Sequence, residues 1–234
     1  MRLGRQLALL AALGICALPA RADLAQGLSA VAKRDWRTAA AQFKPLAERG
    51  DPDAQVNLGN LYMKGHGVEQ DYQAAFGWYL KAADQGSPLA QGKLGMMRYY
   101  GLGEAADHAA AARWFQKAAE QGEPGSAALL GSLCEAGDGV KKDPVRALFW
   151  DALAGSLGHR SAGEAQRELA DQMNPGEINQ AMDLLAEWEK RHPLPAVAES
   201  GPRPPLTDTA GEQGGSPKQS VPHGKNRQAP KKAR

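Results

Sequence analysis

Side chains able to carry catalysis or hold a metal are few in this 234-residue chain, and they are scattered. No two of the five histidines (His66, His108, His159, His192 and His223) stand at the i, i+4 spacing that presents both rings to one metal from one helical face. Cys16 falls in the apolar run near the start that reads as an export signal, which would leave the mature chain one thiol and no intramolecular disulfide. Cys134, between Leu133 and Glu135, reads as a small buried apolar side chain. The nucleophile-elbow pattern G-x-S-x-G and the zinc pattern H-E-x-x-H are both absent. The stretch from Gly86 to Gly92-Lys93 approaches a phosphate-binding loop. However, five residues separate its glycines instead of four, and Leu94 stands where Ser or Thr would meet magnesium. Glu104 and Asp107 supply carboxylates with no defined geometry. The expectation is a protein without catalytic residue, metal or cofactor, acting by recognition.

The elements that position these residues are helical. Ala supplies 43 residues and aromatics only 6%; Ala favours helices and disfavours strands. No apolar run reaches the roughly 18 residues of a membrane helix. The formal charge of +2 is a sum over three segments. Residues 1–22 carry three basic groups and no acid, residues 23–192 carry 18 basic and 23 acidic groups, and residues 193–234 carry seven basic and three acidic groups, hence +3, −5 and +4.

The middle segment repeats every 36 residues without gaps: Asp35, Asp71, Asp107 and Asp143; Gly50, Gly86, Gly122 and Gly158; Gly59, Gly95 and Gly131. Each Asp precedes an apolar-periodic stretch and reads as an N-cap, so that the second copy predicts a helix over Tyr72 to Gln85. Gly86 stops that helix in the left-handed region, and Ser87-Pro88 opens the next with a cap and a proline in its first turn. Glu123-Pro124 keeps the proline with a poorer cap. Gly65/Gly67, Gly101/Gly103 and Gly137/Gly139 are turns. Gly59, Gly95 and Gly131 fall inside helices, where glycine costs about 1 kcal/mol relative to Ala. Close approach of the paired helix explains the recurrence. The predicted architecture is all-α: an N-terminal capping helix (23–34), repeats 35–70, 71–106 and 107–142, a degenerate fourth repeat (143–173) and a C-terminal capping helix (174–192) with Ile178, Ala181, Met182, Leu185 and Trp188 on one face.

Ala54-Gln55, Leu58-Gly59-Asn60-Leu61-Tyr62, Gly65-His66-Gly67-Val68, Asp71-Tyr72, Trp78-Tyr79 and Lys81-Ala82-Ala83-Asp84-Gln85-Gly86 together resemble the Sel-one-like repeat (SLR), a relative of the tetratricopeptide repeat. The resemblance covers residues 35–170. It implies a right-handed α-solenoid and a scaffold for protein or peptide partners in place of an enzyme. The cysteine pairs of a cysteine-rich exported subgroup are absent, so its β-lactam chemistry is not implied. In the tetratricopeptide relatives the helix holding the Leu-Gly pair lines the groove. By that likeness the partner-binding candidates are Asn57, Asn60 and Lys64 in copy one, Lys93, Met96 and Tyr100 in copy two, and Ser132, Glu135 and Ala136 in copy three. An inter-helix groove used by an envelope enzyme or glycan-binding protein is the alternative, and assembly with its own copy is a third.

The two ends read differently. Arg2 and Arg5, the apolar run Leu7 to Leu18, and Ala20-Arg21-Ala22 have the layout of a secretory signal peptide, cut after Ala22. The expectation is export, to the periplasm first and to the medium second, which argues against a nucleic-acid partner. Residues 193–234 hold eight of the 15 prolines and are expected to be disordered. Their basic end reads either as a solubilising tail or as a loose contact for anionic lipid, wall polymer or an acidic protein.

Overall fold

The structure, a computed structural model, describes the backbone of residues 17–193 and the side chains of residues 23–193. The predicted tail and most of the predicted signal segment lie outside the described residues. Ten helices follow one another: α1 (Ala17–Ala32), α2 (Trp36–Glu48), α3 (Pro52–Lys64), α4 (Tyr72–Asp84), α5 (Pro88–Tyr100), α6 (His108–Glu120), α7 (Pro124–Ala136), α8 (Pro144–Ser156), α9 (Ala162–Ala170) and α10 (Pro175–Arg191). There is no strand among the described residues, and none of their helices is long and apolar enough to cross a membrane. Helices α2 to α8 are each 13 residues long. The chain is an α-solenoid in which each helix from α1 to α8 packs on the next, and α9 and α10 both pack on α8.

Local chemistry sets the helix ends. The Asp35, Asp71, Asp107 and Asp143 carboxylates accept from the backbone N–H three residues on, at 3.2, 2.9, 2.8 and 3.0 Å. Asp51 and Ser87 do the same for α3 and α5. Glu123, expected to cap poorly, uses its longer arm to accept from both Gly125 N–H (3.0 Å) and Ser126 N–H (2.5 Å). Gly65, Gly101 and Gly137 close α3, α5 and α7 in the left-handed region. The second glycine of each turn, Gly67, Gly103 or Gly139, has positive φ and lies against the backbone of the first residue of a preceding helix, Trp36, Tyr72 or His108. A side chain there would meet both backbone strain and a wall of main chain.

The helical glycines have a different role from the one expected. A Cβ on Gly59 would stand 2.7 Å from the Tyr79 ring, and one on Gly95 would stand 2.5 Å from the Phe115 ring. Both aromatics belong to the following helix, so the close approach is α3 to α4 and α5 to α6, across the boundary drawn at Asp71 and Asp107. Gly27 of α1 receives the Phe43 ring in the same way. Phe43, Tyr79 and Phe115 are 36 residues apart and at most 2% exposed. Each buries an aromatic worth roughly 2–3 kcal/mol in transfer, well above the cost of a helical glycine.

Two buried glutamines add a polar ladder that sequence reading missed. Gln55 donates to Ala47 O (3.1 Å) and accepts from Gln85 (2.9 Å). Gln91 donates to Ala83 O (3.4 Å) and accepts from Gln121 (2.7 Å). Each ties the end of the helix before it to the end of the helix after it. In the next copy Ala127 and Leu157 occupy these places and the ladder stops.

The C-terminal end closes as a cap should. Helix α10 starts with a reciprocal capping box between Asn174 and Glu177. It buries Ala181 and Trp188, with Ile178, Met182 and Leu185 half-buried against the same core.

The glycine seam gives a paired prediction. Gly95→Ala drives a methyl into the buried Phe115 ring and should destabilise the chain by about 1–3 kcal/mol in urea unfolding. Gly77→Ala, on α4 with open space at its Cβ, should stabilise by about 0.5–1 kcal/mol.

Candidate functional site

A cleft of about 160 Å³ opens between α5, α6 and α7, lined by Met96, Tyr99, Tyr100, Phe115, Leu129, Ser132 and Leu133. Its floor is the Phe115 ring seated on Gly95. Its walls come from one face of α5 and the matching face of α7, because residues three and four apart stack on one side of a helix. Met96, Tyr100 and Ser132 among the expected groove residues meet here. Tyr99, Phe115, Leu129 and Leu133 were not foreseen. Phe115 comes from the other helix type of the repeat, and its presence follows only from the Gly95 seam.

The remaining candidates go elsewhere. Asn60 accepts from Tyr79 Oη at 2.7 Å, so the equivalent floor one copy earlier is covered by a polar pair. The Asn57 amide is spent on Asp53 O of its own helix (2.8 Å). Lys64 is exposed and Lys93 half-buried. Neither lines the cleft. Glu135 and Ala136 are exposed at the end of α7.

One wall of the cleft is pinned by a loop. The Tyr99 ring stacks on His108 with centroids 4.5 Å apart, and its hydroxyl donates to Asp138 Oδ2 at 3.1 Å. His108 Nδ1 meets Asp138 Oδ1 at 2.5 Å. The His108 hydrogen bond, with Tyr99 adding to it, holds the Asp138 carboxyl below the usual range. The Tyr99 hydroxyl's own bond to Asp138 raises the Tyr99 phenol. Sequence reading left His108 without a partner. Its partner is the middle residue of a Gly-x-Gly turn 30 positions later, and the other copies do likewise: His66 stacks on Trp36 with centroids 4.4 Å apart, and Leu102 and Tyr72 pack on one core cluster. The signal was present as an i, i+30 relation inside the 36-residue register.

This His–Asp pair lacks the nucleophile of a catalytic triad: no hydroxyl or thiol bonds the second ring nitrogen among the described residues. Cys134 is buried, which pushes its thiol up to about 11, away from the reactive thiolate. No cluster of three or more metal-ligating side chains occurs among the described residues. A wider, cation-lined hollow of about 360 Å³ lies along Arg98, Asp107, Arg113, Trp114 and Lys117. Arg98 is ion-paired with Glu104 and sits over the Phe76 ring, and Lys117 lies over Trp114.

The fourth copy breaks the aromatic series. Position 151, 36 after Phe115, is Asp. Its carboxyl sits against Gly131 as the rings sit against Gly59 and Gly95. Asp151 is 3% exposed. Burial, with the Glu135 charge adding to it, pushes its pKa up to about 7.

A cleft of exposed apolar side chains on a stack of repeated helical hairpins defines a repeat scaffold. The Sel1 repeat profile matches residues 52–87, 88–123 and 124–159, so the chain carries three Sel1 repeats. Each matched unit is one pair of helices closed over a helical glycine (α3–α4, α5–α6, α7–α8), which meets an aromatic ring in the first two and Asp151 in the third. The chain is similar to the crystal structure of a Sel1 repeat protein from Oxalobacter formigenes, with 29% identity and a TM-score of 0.61 over 72% of this chain and 70% of that one. It also aligns with c5321, a protective antigen of uropathogenic Escherichia coli strains displaying an SLR fold, at 26% identity and a TM-score of 0.45 over 65% of this chain and 41% of that one. No curated protein matches the chain. Sel1 repeat proteins are in general protein-interaction scaffolds.

The buried acid gives a pH prediction. With its pKa raised from 3.8 to about 7, native Asp151 keeps a proton that the unfolded chain has lost between about pH 4 and pH 7. Stability from this group therefore falls as pH rises through that window and levels off above it. At about 1.4 kcal/mol per unit the total is on the order of a few kcal/mol. Asp151→Asn should melt close to the parent at pH 4.5 and several degrees above it at pH 8.

Proposed function

We propose that this protein is an exported, non-catalytic scaffold of the bacterial envelope that holds an extended segment of a protein partner in the Phe115 cleft. The observation that carries this reading is the placement of apolar surface. Large apolar side chains exposed among the described residues are Leu28, Leu89, Met96, Tyr100 and Leu129, and the last three border one cleft. Exposed apolar groups gathered around a concavity mark a binding site where scattered ones do not. Tyr100, 62% exposed at the rim, has the amphipathic ring common at binding hot spots. The cleft is too shallow and apolar for general acid–base work, but it suits one bulky side chain of a partner.

Export rests on the charged, apolar and small-residue pattern of residues 1–22. Helix α1 begins at Ala17 and runs through the expected cut after Ala22. Among the described side chains, Leu24, Ala30 and Val31, with the Gly27 gap for Phe43, seat it on α2 and follow that bond. So does Asp23, which faces Arg49 at 3.8 Å. Cleavage after Ala22 keeps these contacts in the mature chain.

Two measurements test the two halves. The N-terminus of the protein recovered from the periplasm of its host should be Asp23. Recovery of the chain only from the cytoplasm with residues 1–22 intact would overturn export. A photo-crosslinking residue at position 129 should capture a discrete envelope protein, and Met96→Ala with Tyr100→Ala should cut that capture about tenfold or more, as loss of an aromatic hot spot does. Capture unaffected by the pair would overturn the cleft as the binding site.

A further inference from the structure

We propose that the binding line continues one repeat beyond the Phe115 cleft as an acidic subsite, Asp151 with Glu135, which takes the Lys or Arg side chain of the same partner segment. The inference rests on the cleft-binding reading and adds the partner's chemistry to it.

The register shows what this subsite is. Adding 36 to the lining of the Phe115 cleft turns Met96 into Ser132, Tyr99 into Glu135, Phe115 into Asp151 and Ser132 into Glu168. The alignment still holds at α9, since Leu133 and Leu169, which correspond, are both 6% exposed. The floor of the cleft thus passes from an aromatic ring to a carboxyl, and its wall from Tyr99 to Glu135.

Asp151 is unusual for its place. It is 97% buried by its 3% exposure, and no donor among the described residues bonds to it. Burying a carboxylate without a partner is costly, and in practice such groups are paired or protonated. The other copies show that the gap accepts a ring without that cost. The Asp151 oxygens are not sealed, however: the sealed side-chain polar atoms without a partner among the described residues are Ser126 Oγ and Trp188 Nε1. The equivalent positions face the binding line, Phe115 as the floor of the cleft and Tyr79 through its bond to Asn60. An acid held there, just within reach and with an exposed Glu beside it, is a receptor for a cation from outside. An ammonium or guanidinium would supply the missing donors, and a charge-assisted bond in a poorly hydrated site is stronger than one on the surface.

Neighbouring helices pack roughly 10 Å apart. An extended chain covers that distance in about three residues. The fitting partner is therefore an extended segment with a bulky apolar residue and a basic residue three or four positions apart.

Panning a random dodecapeptide phage library on the full chain tests this. Enriched peptides should carry that apolar-to-basic spacing. Against a chain with Asp151→Asn and Glu135→Gln, selection should keep the apolar anchor and lose the basic residue, and a peptide selected on the parent should bind the variant about tenfold more weakly, the size expected for one charge-assisted contact. The substituted chain should melt no lower than the parent at pH 8, which separates lost binding from lost fold. Apolar anchors with no basic preference, or a basic preference unchanged in the variant, would overturn the subsite and leave the cleft reading standing. Failure to enrich any peptide whose binding depends on Met96 and Tyr100 would overturn both.

Discussion

A single contact sets the spacing of this molecule: an aromatic ring lying on a glycine of the helix before it. Phe43 on Gly27, Tyr79 on Gly59 and Phe115 on Gly95 are the same event repeated. A β-carbon at the glycine would hold the helices apart, and a smaller side chain than Phe or Tyr would leave a void. The rise from one hairpin to the next, the alignment of α5 with α7 and the mouth of the cleft between them all depend on that fit. The capping carboxylates and left-handed glycines fix where each helix begins and ends, but they do not fix how close the helices come.

Interior polarity follows the same register. Gln55 and Gln91 occupy equivalent buried sites and are fully engaged, each with a backbone carbonyl on one side and a glutamine amide on the other. Asp151 occupies an aromatic site and has no hydrogen-bond partner among the described residues. A buried polar group with its hydrogen bonds made specifies a packing, whereas one without them costs stability. The contrast separates a structural polar group from one whose place is better explained by something the chain meets from outside.

The potentially reactive groups have been absorbed into structure. His108 and Asp138 clasp a turn to a helix and, through Tyr99, stiffen one wall of the cleft. Cys134 is a core side chain with a thiol kept protonated by burial. The cleft itself is apolar along Met96, Tyr100 and Leu129, and the exposed Glu135 lies one repeat on from Tyr99. That division suits recognition of a chain segment with mixed character, and rigid presentation by packed helices lowers the ordering cost of binding.

The 36-residue period, the helix ends and the all-α architecture were determined by the sequence alone, because caps, prolines and left-handed glycines act over three or four neighbouring residues and leave their mark at fixed spacings. Met96, Tyr100 and Ser132 were named only through the likeness to tetratricopeptide relatives, and the structure places the three around one cleft. The partner of the helical glycines was not legible: Gly95 records that something comes close, but only the tertiary packing shows that it is Phe115 of the next helix. For the same reason the floor of the cleft belongs to α6, and Asp151 turns out to be buried. In sequence Asp151 is one more acid in a helix. Its environment is made by α7 and α8 coming together over Gly131, and burial is a property of that assembly, which no local pattern contains.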